Sequence, residues 1–576
     1  MSSSPIQRPT CLEALLAREV PSRLGARDAS LFDAHPQDAE RAAQRLGWTD
    51  LCSRPPLAID SISEQARAIR DEGLEAVVLI GQGGSSQAAM TVTKLHELGG
   101  SGEVAFRTMD SLSPVFVRHI VESSPPERTL YIVSSKSGST IEPLMLERVV
   151  WHYVADRLGQ KAAGRRFVAI TEVGSGLESL ARERGYRHIL PAPIDVGGRF
   201  SALTAFALFP AALVGIDIDK ALAFALDTER ACTRNDPDNP ALSLACFLYD
   251  AYLKGRDKFS LILPPSGQVF GLWVEQMVAE SLGKEGKGIL PNVEVDASIL
   301  SVPRPDRSVI TYAVGSCEGF QESIAHIDSS IPALCYAVDA PHELFSRFVI
   351  WEYATTFLGI LMETFPFDQP DVEITKVLVK DLLARRNTPD DTPDDTPEDS
   401  PDDTPASPDA IVRELRQGAA LSDAPSTTVD EALRTLFGSL EVGDYFSLNA
   451  FLPFRGYGRR EALERMRNRV ASRLGVVSCL EIGPRYLHST GQLHKGGPNK
   501  GVFLILSADE DDDLPIPGEA YTLGDLAAIQ AQGDFAALDS RGRRVVHVHL
   551  SGNDSETLSR FADRLCSAVS AIKPIQ

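Results

Sequence analysis

The sequence predicts an α/β protein of doubly wound parallel sheets, on three observations. Short apolar, β-prone runs alternate with longer helical patterns from about residue 55 onward, the order that covers both faces of a parallel sheet with helices. Two of those runs pass directly into loops of small residues, at 77–86 (VVLIGQGGSS) and 131–140 (YIVSSKSGST). Each loop then opens a helix-like segment, so backbone N–H groups and the positive helix end converge on one place. Finally, 576 residues exceed what one core can fill, so two or three domains are expected.

Along the chain, residues 1–50 read as a helical N-terminal segment ending near Pro55 and Pro56. Strands expected at 76–80, 104–109, 129–134 and 167–171, with helices at 85–98 and 141–158, make a first domain of residues 51–200. Helices at 200–214, 242–253 and 268–282 and strands at 259–263, 309–314 and 333–338 begin a second domain. Long helices at 343–361 and 372–385 carry it to residue 386. Residues 387–409 then repeat a Thr-Pro-Asp-Asp theme, with nine Asp or Glu and no basic residue. Proline at that density and like charges in a row forbid a packed core, so this acidic low-complexity insertion reads as a solvated linker. Alternation resumes over 410–576, with strands at 445–451, 476–482, 502–506 and 545–550 and helices at 429–436, 460–474 and 555–571. This last part is expected to complete the second domain by rejoining its sheet.

A net charge of −22 argues against nucleic acid or an anionic membrane as partner. An anionic substrate must therefore meet a local positive pocket. The eight cysteines are scattered without C-x-x-C spacing, which suggests reduced thiols in the cytoplasm rather than a zinc or redox site. No signal peptide is expected from the first residues. A long uncharged run, 200–216, contains Pro210 and is shorter than a spanning helix needs.

The first loop, where Gly84 and Ser85 are expected to bind phosphate, also resembles in Gly81, Gly83 and Gly84 the start of a dinucleotide fingerprint, with Asp110 in reach of a ribose. Ser86 takes the place of the third glycine, and that reading leaves the second loop without a task. The second loop sets Lys136 among Ser135, Ser137, Gly138, Ser139 and Thr140. A helix N-cap accounts for one hydroxyl, not four with a lysine; a bound phosphate accounts for all of them.

Further segments carry a family resemblance. Residues 196–201 (VGGRFS), 276–284 (QMVAESLGK), 367–376 (FDQPDVEITK) and 487–492 (LHSTGQ) are similar to the VGGR(F/Y)S, Q-x-x-x-E-S-x-G-K, FDQ-x-x-V-E-x-x-K and L-H-S-x-G-Q signatures of the glucose-6-phosphate isomerases, a family of sugar-isomerase (SIS) domains. The order departs from the shorter bacterial members, where the histidine segment falls between the glutamate and lysine signatures. Here it follows both, as in the isomerase part of transaldolase–isomerase fusion proteins; no transaldolase module is present. The resemblance implies two SIS domains, each a three-layer αβα sandwich, and a cytoplasmic homodimer with the histidine supplied across the interface. It implies no metal or organic cofactor, and a sugar phosphate as the small-molecule partner.

The implied reaction interconverts D-glucose 6-phosphate and D-fructose 6-phosphate through a cis-enediol, in glycolysis and gluconeogenesis. One base must take a proton from one carbon and return it to the next, a task for a partly buried carboxylate. Glu280, on a helix with a mostly apolar face, is assigned to it. Arg199 is assigned to the negative charge that develops on the sugar oxygens. His488 and Lys376 are assigned to ring opening, with His494 as a nearby alternative. Gln276 shares a helical face with Glu280 and Gln369 stands two turns before Lys376, so both are expected to position substrate. Glu142 is expected to orient Lys136. Alternative readings are an isomerase that also accepts mannose 6-phosphate and a non-catalytic sugar-phosphate sensor. His547 and His549 share a strand face without completing a metal site, and Trp273 and Trp351 read as core or interface residues.

Overall fold

A computed structural model describes residues 10–98, 103–294, 297–314, 320–338, 340–386, 411–422, 426–453, 458–510 and 512–575. The linker reading of 387–409 lies outside the described residues. Fourteen strands form three sheets among them. The first contains β1 (Ala76–Gly81), β2 (Ala105–Met109), β3 (Thr129–Ser134), β4 (Phe167–Thr171) and β5 (His188–Pro191), in the order β2-β1-β3-β4-β5. The second contains β6 (Lys258–Ile262), β7 (Leu290–Glu294), β8 (Arg307–Val314) and β9 (Ala333–Val338), in the order β7-β6-β8-β9. The third contains β10 (Val412–Gln417), β11 (Tyr445–Phe451), β12 (Val477–Ile482), β13 (Gly501–Ala508) and β14 (Arg544–Leu550), in the order β10-β14-β13-β11-β12.

Two compact units hold these sheets. One comprises Met1–Thr108, Pro126–Thr140 and Gly164–Asp368 and carries the first two sheets. Strands β1 and β3 are buried at every position, as apolar runs covered on both faces must be. Val77, Leu79 and Ile132 of the first sheet share one core with Phe259, Leu261 and Ile310 of the second. The helix Leu344–Met362 is long and apolar enough to cross a membrane by length and composition, but it packs into this core against the helices Ile218–Cys232 and Pro240–Leu253. Trp273 and Trp351 are both core residues, and Trp351 donates its indole N–H to the Tyr312 hydroxyl at 2.9 Å.

The other unit comprises Met109–Pro125, Ile141–Ala163 and Gln369–Gln576 and carries the third sheet. Its core sets Leu448, Leu504 and Val548 of the strands against Leu463, Phe561 and Leu565 of the helices. The α/β class with parallel sheets holds, with one difference in count. The C-terminal strands pair with one another and do not rejoin the four-stranded sheet. The physical reason is that they bury enough apolar surface for a core of their own. A second difference is β10, which runs antiparallel to β14; its charged Arg413, Glu414 and Arg416 suit a sheet edge.

Candidate active site

In the first unit, three sequence signatures converge on Glu280. Strand β1 delivers the chain to a 3-10 turn, Gly83–Ser85, with Gly83 in the left-handed region at φ 54°. A Cβ on Gly84 would lie 2.1 Å from the Gly198 carbonyl oxygen, so only glycine lets the two turns touch. The Ser201 hydroxyl lies 2.7 Å from the Gly198 carbonyl and 3.3 Å from that of Gly84, and Ser134 donates to the Ser85 carbonyl at 2.7 Å. The second turn, Gly198–Phe200, presents Arg199.

The Arg199 guanidinium is buried, and its Nη1 lies 2.8 Å from Glu280 Oε1. Its Nε donates to Ser281 Oγ at 3.0 Å, and Nη2 donates to the carbonyls of Pro366 and Asp368 at 2.9 and 3.1 Å. Glu280 stands in the last turn of the helix Gln268–Leu282, which is buried almost throughout. Gln276, one turn earlier, donates its amide to Glu280 Oε2 at 2.9 Å. A buried ion pair is tolerated when further hydrogen bonds satisfy its remaining polar atoms, and the partners of Arg199 do so here. Just beyond the helix, Lys284 gives Nζ to the carbonyls of Phe365 and Asp368 at 2.7 and 2.6 Å and to Asp368 Oδ1 at 2.7 Å. Burial and then the Arg199 charge push its amine well below the usual lysine value. The result is a fixed carboxylate with a fixed cation beside it.

The second loop closes on itself. Gly138, at φ 65°, donates its N–H to the Ser135 carbonyl at 3.1 Å, and Ser135 Oγ donates to Thr140 Oγ1 at 3.1 Å. Ser137 Oγ accepts from the N–H and the hydroxyl of Ser139 at 3.3 and 3.0 Å, and both serines are exposed. Lys136 is held by Glu172 at 2.5 Å and by the Ile194 carbonyl at 3.3 Å. The expectation that Glu142 orients Lys136 is therefore corrected. Glu172 does so, because the chain after β4 brings its carboxylate to the lysine.

Glu142 instead meets the histidine. In the second unit, His488 ends the 3-10 turn Arg485–His488 after β12, and its Nε2 lies 3.0 Å from Glu142 Oε1. Gln530 donates Nε2 to the same oxygen at 2.7 Å. Burial pushes the Glu142 carboxyl up, but the His488 charge and the hydrogen bonds from His488 and Gln530 outweigh it and leave it below the usual carboxylate range. The dyad forms within one chain.

The histidine segment also grips the lysine signature. Gln492 Oε1 accepts from the N–H groups of Asp371 and Val372 at 2.9 and 3.3 Å, and its Nε2 donates to Asp371 Oδ2 at 2.6 Å. This caps the helix Val372–Arg386. Lys376 stands on an exposed face of that helix, 2.6 Å from Glu373; Gln369, in the same unit, is half-buried. His494 lies buried among Tyr445, Tyr486 and Phe503, with neither ring nitrogen bonded among the described residues. Burial, with Lys495 and Arg543, pushes it well below the usual histidine value. Asp110 sits 3.6 Å from Arg485, committed to an ion pair rather than to a ribose. His547 and His549 both bond the Ser507 hydroxyl, at 2.8 Å each.

The site residues thus fall into two groups. Gly84, Ser85, Arg199, Gln276 and Glu280 assemble in one unit, which also carries the second loop; His488, Lys376 and Gln369 belong to the other. The sequence reading missed Gln530 altogether. Its helix, Leu523–Ser540, is announced by a capping box, Thr522 with Asp525, but Gly524 and Gly533 interrupt the helical pattern.

No protein-family model matches the chain. It is similar to the glucose-6-phosphate isomerase of Symbiobacterium thermophilum, 29% identical over 393 residues, which span 59% of this chain and 87% of the relative. It is 28% identical to that of Mycoplasmopsis pulmonis, over 59% of this chain and 90% of the relative. Among solved structures, a hypothetical protein of Thermus thermophilus shares the fold at TM-score 0.54 and 22% identity, covering 65% of this chain and 97% of that one. A glucose-6-phosphate isomerase of Chlamydia trachomatis does so at TM-score 0.51 and 18% identity, covering 66% and 87%.

Proposed function

We propose that this chain, a relative of the glucose-6-phosphate isomerases, interconverts D-glucose 6-phosphate and D-fructose 6-phosphate. The observation that carries the reading is the buried Glu280 carboxylate, held 2.8 Å from Arg199 beside the Gly84 turn. Glu280 takes the proton from C2 of the open-chain aldose, and the electron pair left behind forms the C1–C2 double bond of an enediolate. The negative charge moves to the carbonyl oxygen, where Arg199 opposes it. A proton passes from the C2 hydroxyl to O1, Glu280 returns its own proton to C1, and the C2 carbonyl of the ketose forms. Atoms and electrons balance within the sugar, so no cofactor enters the step.

Ser137, Ser139, Thr140 and the backbone of the second loop anchor the phosphate, with Lys136 and Gly84 contributing. His488, backed by Glu142, and Lys376 carry the ring opening that precedes proton transfer; Gln276 and Gln369 position hydroxyls. The same reading makes the protein a cytoplasmic homodimer acting in glycolysis and gluconeogenesis. The test is a coupled assay on both hexose 6-phosphates. Wild type turns both over without added metal or nucleotide, while Glu280→Gln loses turnover and keeps binding. Binding by wild type with no turnover of either sugar would reject the reading.

A further inference from the structure

We propose that Gln530 is a positioning residue for the ring-opening histidine, holding Glu142 so that Glu142 presents His488 at a fixed angle. The inference rests on the isomerase reading above. Gln530 is 3% exposed and projects from the helix Leu523–Ser540. Its amide nitrogen and His488 Nε2 reach the same oxygen of Glu142, at 2.7 and 3.0 Å. The second oxygen of Glu142 and the amide oxygen of Gln530 have no partner among the described residues. A carboxylate held by one donor can turn about its own bonds; a second donor from another element fixes its plane.

The residue type fits the task. An amide donates a hydrogen bond without carrying charge, so it fixes Glu142 and leaves the negative charge for His488 to feel. A lysine or arginine there would neutralise the carboxylate, and a glutamate would repel it.

The same helix holds the other partner of the dyad. Asp534, four residues on and so on the same face, is fully buried and lies 2.5 Å from Lys495 Nζ. It also accepts the Tyr486 hydroxyl at 2.5 Å, and Tyr486 sits in the turn that ends at His488. One helix face therefore fixes the carboxylate through Gln530 and the histidine turn through Asp534.

The experiment is exchange between the α and β anomers of glucose 6-phosphate, followed by NMR on the purified full-length chain, beside the isomerisation rate. Gln530→Met is expected to slow anomer exchange roughly tenfold, a part of the gain that a placed acid–base group gives. On a Glu142→Gln background the same change should cost nothing more, since the two act through one contact. An equal loss on both backgrounds, or no loss on either, overturns the proposal. Should Gln530→Met fail to fold, Gln530→Ala removes the donor without adding bulk or charge and carries the same expectation. Absence of any conversion by wild type would instead sink the isomerase reading.

Discussion

Arg199 offers the sharpest test, because its partners set both a stability cost and a catalytic one. Replacing it with Met removes the charge 2.8 Å from Glu280 and the donors to Ser281, Pro366 and Asp368. Removing one member of a buried pair costs about 3–5 kcal/mol, since the other charge is left uncompensated. At about 2–4 °C per kcal/mol for a domain of ordinary size, the melting midpoint should drop by roughly 6–20 °C. Losing one preorganised donor to a developing oxyanion costs about 10²–10³ in kcat. Arg199→Lys separates the two effects. An ammonium can keep a positive charge near Glu280, but it cannot span Ser281 and the Pro366 and Asp368 carbonyls together. It should therefore recover part of kcat while remaining destabilised. The assays are a coupled isomerase rate at saturating substrate and a thermal melt of each variant. A folded Arg199→Met protein with kcat within threefold of wild type, on the order of 0.7 kcal/mol of barrier, would refute the role.

Three further outcomes are expected. His488→Asn should slow turnover of ring-closed sugar more than anomer-independent proton exchange at C1 of substrate already open, read by deuterium uptake; equal slowing would move the role elsewhere. Gly84→Ala should drive a methyl into the Gly198 carbonyl 2.1 Å away, costing roughly 1–3 kcal/mol as overpacking and lowering kcat by displacing Arg199; an unchanged melt and rate would refute the tight contact. Glu352 is fully buried, and burial, with nearby Glu229, raises its carboxyl well above the ordinary 4.5. A raised carboxyl favours the folded state fully below the unfolded value and loses that contribution as pH rises through the folded one. Glu352→Met should therefore stabilise the protein at pH 8 by roughly 1–3 kcal/mol, through removal of an unsatisfied buried group, and by less at pH 4.5. Denaturant melts at the two pH values check the sign.

What could be read from the sequence was whatever local pattern decides. Strands β1, β3 and β4 and the helices Ile141–Leu158 and Gln268–Leu282 were legible because apolar run length and helical periodicity fix them. Strand β7 was missed because Pro291 breaks a five-residue run, and β10 because its charges hide an edge. The alternation that marks α/β architecture does not say which strands share a sheet, so the third sheet could not be separated from the second. The Glu280 group was legible because turn glycines and a four-residue helical spacing carry it. The partners of Glu142 were not, since His488 and Gln530 lie hundreds of residues away and only the folded sheet brings them near.

The displaced histidine segment raises the question of how a loop keeps its setting through a change in chain order. In a parallel sheet, what places a loop is the strand it leaves and the helix it meets, not its rank along the chain. Here His488 leaves β12, and the segment carries its own attachments: Gln492 to the head of the lysine-bearing helix, Lys495 and Tyr486 to Asp534. A Cβ at Gly496 would lie 2.1 Å from Asp371 Oδ2, so the fit to that helix is close as well. Because these anchors are made by the segment itself or by the helix that follows it, a strand–turn–helix piece can move as a block. It then needs two receiving groups from earlier in the chain: the head of the helix Val372–Arg386, which Gln492 grips, and the Glu142 carboxylate, in the first turn of the helix after the second loop. That last helix begins where the second loop ends, so the acceptor for the histidine and the proposed phosphate anchor are adjacent in the chain. Chain order can change while this adjacency is kept.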